Sequence, residues 1–357
     1  MLINVVYEKG SVSRMSWFNL LEEVTTIPGP TGQEQDVMDW CQQRWEQHSE
    51  SIERSPTGNL YARIGGSGKK VLIQAHADEI GFIVRSIDSE GFLHISTAQV
   101  ADDPAKRFPV GQPALVLGRN GPIEGLIATA TGHVLTEEQR SKQGLSYQDL
   151  WVDIGSSSRE EAQEKGIHPG ARVIWNPPLR QMGSRIYGKA IDDRMLLALM
   201  TRLLEDGIKE HLNCRLYFAV TVQEENGLIG ANALFQALKP DVALALDVGL
   251  AGDIPAVSET TMPTSLGRGP ILVHKDASTH YSREIIWDLV AKAETNDIPV
   301  QHAIFERFGS DGAQFIRHGI PASLICPPTR YTHSPFEMVD ESDLDATVDL
   351  LRAYITS

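Results

Sequence analysis

Residues 215–226, RLYFAVTVQEEN, decide the fold. Leu216, Tyr217, Phe218, Val220, Thr221 and Val222 form an apolar, β-rich run without polar alternation, which predicts a central parallel strand buried on both faces. Two adjacent carboxylates, Glu224 and Glu225, close the run. They fall at the C-terminal end of the strand, where open α/β sheets hold their ligands. Adjacent glutamates repel unless a positive charge lies between them. A metal ion supplies one when other ligand-type residues also sit at strand ends.

Working outward, the same pattern recurs. Residues 71–75 form a second apolar strand running into His76, Asp78 and Glu79. Residues 242–246 form a third ending at Asp247, and 321–326 a fourth followed by a loop with His333. Asp192 and Asp193 precede a helix with Met195, Leu196, Ala198, Leu199, Leu203 and Leu204 on its buried face. Further helices are expected near 17–24, 37–41, 227–238 and 341–354. Between Phe82 and Ser184 the rhythm changes to short runs such as GFIVRSI, PALVL and ARVIW, punctuated by Gly, Pro and Asn. This predicts a small β-barrel or sandwich inserted into the α/β domain, with the polar, aperiodic segment 136–148 as a surface loop. Residues 1–14 show no periodicity, and Met15 is a candidate start.

A chain of 357 residues exceeds the size at which one core stops growing, so two domains are expected. Its 41% hydrophobic and 22% charged residues are those of an ordinary soluble globular protein. A formal net charge of −15, with scattered Lys and Arg, argues against nucleic acid and anionic membranes as partners. No apolar run approaches a membrane span and the N-terminus lacks a signal-peptide core, so a cytoplasmic location is expected. Cys41, Cys214 and Cys326 are widely spaced and odd in number, and read as small core residues.

His76, Asp192, Glu225, Asp247 and His333 are each delivered by an apolar element or its following loop. Two histidines and three carboxylates suit a pair of divalent ions if one carboxylate bridges them. Glu224, beside a ligand without being one, is placed to take a proton from metal-bound water. The HExxH and CxxC patterns of single-zinc sites are absent, as are the phosphate-binding GxGxxG and GxxxxGK[ST] after a strand. The glycine-rich GRGP at 267–270 reads as a turn.

The ordered motifs resemble the tetrahedral aminopeptidases, also called glutamyl or deblocking aminopeptidases (peptidase family forty-two), and within them the FrvX type. IPGPTGQE at 27–34, HADEIGF at 76–82, GKAIDDR at 188–194, TVQEENGLIGA at 221–231, ALDVG at 245–249 and PPTRYTHSPFE at 327–337 carry the resemblance. It covers nearly the whole chain after Met15. The resemblance implies an α/β, doubly wound, phosphorylase/hydrolase-like catalytic domain in two parts, 1–82 and 185–357. A β-barrel-like domain at 83–184 would build dimers that assemble into a dodecamer. It implies two divalent ions, Zn²⁺ or Co²⁺ with Mn²⁺ as a third candidate. Asp192 would bridge them, His76 and Asp247 would hold one, and Glu225 and His333 the other. Glu224 would be the general base and Asp78 would orient His76. In related enzymes the Asp-Asp peptide bond of this motif is cis. The chain departs from the family pattern at Met195, at Gly309 to Gly312 (GSDG) and at Gly132-His133, none of them an implied ligand.

The expected function is therefore removal of N-terminal residues from short peptides by a metallo-aminopeptidase. Amide hydrolysis of a non-peptide metabolite could use the same site. A non-catalytic oligomeric scaffold is a third reading, against which the intact Glu224 weighs. A glycosidase would instead need two carboxylates flanking a sugar.

Overall fold

The computed structural model describes residues 15–98, 108–141 and 144–356, so the expectation for residues 1–14 lies outside it. The chain opens with α1 (Trp17–Thr25) and α2 (Gln35–Trp45), followed by β1 (Ser51–Arg54), β2 (Leu60–Gly65) and β3 (Lys70–His76). The Ser16 side chain caps α1 by accepting from Asn19 N, and Trp17, Leu20, Leu21 and Val24 bury one face of that helix.

β4 (Phe82–Ile87), β5 (Leu93–Thr97), β6 (Pro113–Gly118), β7 (Gly121–Ala128), β8 (Trp151–Asp153) and β9 (Arg172–Trp175) then close into a barrel in the order β4-β5-β8-β7-β6-β9. The barrel has its own core, including Phe82, Val84, Ile95, Val116, Val152, Val173 and Trp175. Two short helices belong to this region, α3 (Glu137–Ser141) and α4 (Arg159–Glu164). Within 136–148, expected to be a surface loop, residues 137–141 instead form the exposed helix α3. Thr136 and Gln139 form a reciprocal capping box there, Gln139 N donating to Thr136 Oγ1 and Thr136 N to Gln139 Oε1. That signal is local and independent of hydrophobic period.

β10 (Arg180–Met182) and β11 (Arg185–Gly188) lead into α5 (Ile191–Glu205), β12 (Arg215–Thr221), α6 (Ile229–Ala237), β13 (Val242–Leu246) and β14 (Gly249–Leu250). The chain ends through β15 (Ile271–Lys275), α7 (Arg283–Thr295), β16 (Gln301–Ile304), α8 (Gly312–Arg317), β17 (Ala322–Cys326), β18 (Pro328–Thr329), β19 (Glu337–Asp340) and α9 (Glu341–Thr356). β10, β11 and β19 form a small sheet, so the expected boundary near 184 falls inside it.

The main sheet has eight strands in the order β1-β2-β12-β3-β13-β17-β15-β16. β12, β3, β13 and β17 run parallel, so their C-terminal ends open on one edge. β12 is interior as expected, but parallel only to β3; on its other side it pairs antiparallel with β2. Helices cover both faces. Leu72, Ala219 and Ala243 pack with Leu234 of α6 and Phe315 of α8, whereas Ile73, Phe218, Val220 and Leu244 share a core with α1, α2, α5, α7 and α9. Strands sandwiched in this way must be apolar on both faces, which is why 215–222 lacks alternation. GRGP is a turn, its Gly267 and Gly269 amides donating to Asp343 at 2.7 Å each.

Candidate metal centre

All seven residues singled out in the sequence meet at the open edge of the parallel strands. His76 ends β3, Asp247 follows β13, and Asp192 stands in the non-helical start of α5. Glu224 and Glu225 follow β12 after Gln223, whose φ of 52° turns the chain. The turn is tight: Gly230 N donates to Val222 O, and a Cβ on Gly230 would lie 2.5 Å from Val222 N and O. His333 comes from the loop before β19, also at positive φ (60°).

Asp192 is central. Its Oδ1 lies 3.1 Å from His76 Nε2, while its Oδ2 lies 3.6 Å from His333 Nε2 and accepts from Thr332 Oγ1. Glu225 Oε1 is 3.2 Å from the same His333 nitrogen. Donor atoms of His76, Asp192, Asp193 and Asp247 lie within 4.8 Å of one another, as do those of Asp192, Glu225 and His333. His76 Nδ1 donates to the main-chain oxygen of Asp78 at 3.1 Å, so Nε2 is the ring nitrogen that faces the cluster. The Asp192-Asp193 peptide bond is cis.

The Asp78 carboxylate does more than face His76, from which it stands 3.5 Å. Its Oδ1 accepts Glu224 N at 2.9 Å and its Oδ2 accepts Glu225 N at 3.2 Å, with Thr31 Oγ1 as a further donor. Glu34 Oε1 similarly takes Gln223 N. The loop bearing both glutamates is thus pinned by carboxylates from distant segments. Glu34, Asp193, Asp311 and Glu337 lie within the motifs IPGPTGQE, GKAIDDR, GSDG and PPTRYTHSPFE, but the sequence assigned them no role, because their partners are distant along the chain. The Asp193 Oδ2 accepts His76 N, and Asp311 accepts from Thr221 Oγ1 beneath the site.

Burial pushes Asp193, Glu224 and Asp247 well above the usual carboxylate range, with neighbouring carboxylates adding to the effect. It raises Glu225 in the same way and Asp311 to about 7. For His76 burial acts downward, but Asp193, Asp192 and Asp78 outweigh it and hold the imidazole well above its ordinary value. So many buried carboxylates around two imidazoles call for added positive charge. Asp193 Oδ1 is buried without a hydrogen-bond partner among the described residues. The donor set therefore fits divalent cations.

Carboxylates and imidazoles gathered at the strand ends of a doubly wound sheet are the donor set of a metal-dependent hydrolase. Residues 58–350 match the family model described as M42 glutamyl aminopeptidase, and the chain belongs to that family. Over 341 residues it is 31% identical to the putative aminopeptidase FrvX of Escherichia coli (strain K12), spanning 95% of this chain and 94% of that protein. A TET aminopeptidase from the marine sediment archaeon Thaumarchaeota archaeon SCGC AB-539-E09 superposes with a TM-score of 0.90 at 29% identity, over 95% of this chain and 96% of that one. The Pyrococcus horikoshii TET1 peptidase, described as assembling into a tetrahedron or a large octahedral shell, gives 0.85 at 28% over 96% and 100%.

Proposed function

We propose that this chain is an aminopeptidase that removes N-terminal residues from short peptides with two divalent cations. The observation that carries the reading is Asp192, whose two oxygens face two different histidines. His76 and Asp247 would complete one site, Glu225 and His333 the other, with Asp192 shared. When bound, the ions polarise the scissile carbonyl and lower the pKa of water. Glu224 accepts a proton at its carboxylate and returns it to the leaving amine, while Asp78 keeps both glutamates in place. Mixed imidazole and carboxylate donors suit Zn²⁺ and Co²⁺, with Mn²⁺ favoured by the carboxylates. The excess of negative charge suits a substrate bearing a free α-ammonium.

The barrel domain is our candidate for the subunit contacts of a homo-oligomer, a dimer or dodecamer. Val110, Leu126 and Val134 are large apolar side chains it leaves exposed. A cytoplasmic setting suits three buried, unbridged cysteines. Among the described residues, no helix is long and apolar enough to cross a membrane.

The deciding experiment supplies the purified protein with Zn²⁺, Co²⁺ or Mn²⁺ and offers matched free and N-acetylated aminoacyl amides and peptides. Cleavage of free N-termini alone is expected. Release of acetate would replace the reading with a deacylase, and inactivity throughout would leave the scaffold.

A further inference from the structure

Glu337 opens β19 and is 2% exposed. Each of its oxygens accepts a different main-chain N–H: Oε1 takes His333 N at 2.8 Å and Oε2 takes Asp192 N at 2.9 Å. Those amides belong to the residues whose side chains meet at 3.6 Å. Neither stretch is regular. His333 and Tyr331 both have positive φ, 60° and 61°, and Asp192 has a ψ of 108° inside the opening of α5. Glu337 itself stands on a strand, its backbone registered against Gly188 of β11, the strand that leads into α5.

We propose that Glu337 is a positioning residue that fixes the spacing between Asp192 and His333 by clamping both main chains with one carboxylate. This rests on the metal reading above, in which those two side chains share a cation. A carboxylate offers two acceptors and no donor, which the geometry requires. Glutamine keeps one acceptor and turns an NH₂ toward the other amide. Aspartate keeps the charge and both acceptors on a stem one methylene shorter, which cannot span the same two amides.

A second clamp of the same design provides the control. Asp343 accepts Gly269 N through Oδ1 and Gly267 N through Oδ2, both at 2.7 Å, and shares no contact with the proposed ligands. Metal-free wild type, E337Q, E337D and D343N are titrated with Zn²⁺ under chelator competition, and with Co²⁺ while its absorption bands report coordination geometry. E337Q and E337D are expected to weaken one of two binding steps by roughly 10–100-fold and to shift the Co²⁺ bands, as loss of outer-shell support does. D343N is expected to bind like the wild type. Wild-type affinity in E337D would mean that charge, not reach, matters and would overturn the proposal. So would equal weakening in D343N, which would mean general loosening. Failure of both E337Q and E337D to fold without metal, while D343N folds, would make Glu337 a determinant of the fold and equally defeat it. A wild type that takes up no Zn²⁺ would refute the metal reading itself, an outcome distinct from the others.

Discussion

Glu224→Gln separates catalysis from metal holding. The substitution keeps side-chain volume in a position that is 7% exposed, and it leaves untouched the amide that Asp78 holds at 2.9 Å. It also removes one charge from a cluster in which Asp247, Asp311 and Glu225 repel Glu224, so the metal-free protein should fold at least as well. What disappears is the ability to accept a proton. General-base catalysis contributes roughly 10²–10⁴-fold, about 3–5 kcal/mol of barrier. The assay is turnover at saturating peptide and metal, with metal per subunit measured by elemental analysis. The variant should carry the wild-type metal content and lose most of its turnover. Glu225→Gln should do the converse: lacking the carboxylate 3.2 Å from His333, it should lose metal at one site and recover partly with excess ion. If Glu224→Gln sheds metal while Glu225→Gln stays loaded and inactive, the two roles are reversed. If neither change matters, the hydrolase reading falls.

Three further outcomes follow from particular contacts. Metal uptake should weaken as pH falls, because the protein holds the proton of metal-free His76 well above its ordinary pKa and a cation must displace it. His76 thus favours the metal-free fold below its unfolded pKa of about 6.5, a contribution lost as pH rises through the folded value. The stabilisation by metal should widen with pH, and retention of ions after dialysis near pH ~4.5 would refute this. Arg194→Met should cost about 3–5 kcal/mol in urea unfolding, since the buried guanidinium donates to Val24, Ile27, Gly29 and Ala77 carbonyls and pairs with Glu79. A loss below about 1 kcal/mol would contradict that role. Excising the barrel and rejoining its ends should give smaller particles by light scattering; a folded protein of unchanged subunit number would exclude the barrel from the contacts.

Much of the site was legible because its residues terminate apolar runs. His76, Asp192, Glu224, Glu225, Asp247 and His333 each follow or open a strongly patterned element, so pattern and chemistry coincide. The supporting contacts were not legible for the converse reason. Glu337 reaches Asp192, Asp78 reaches Glu224 and Glu34 reaches Gln223 across more than a hundred residues, and their partners are backbone amides, which carry no sequence signature. The unit from β15 to α8 also escaped notice. β15 and β16 have only five and four residues, and β16 is an edge strand with Ile304 exposed, so neither produces a long apolar run. The antiparallel pairing of β12 with β2 was hidden because a strand covered by helices on both faces reads the same in either direction.

The sheet order has a consequence for a protein made on a ribosome among its potential substrates. β3, with His76, is completed early, yet its neighbours β12 and β13 and the Glu337 clamp come from the later chain. At roughly 5–20 residues per second, the interval from His76 to Glu337 is tens of seconds. Until His333 and Glu337 have been made the cluster at the end of β3 is incomplete, even though β12 and β13 can flank that strand earlier. The candidate centre can therefore assemble only after residue 337 has been made.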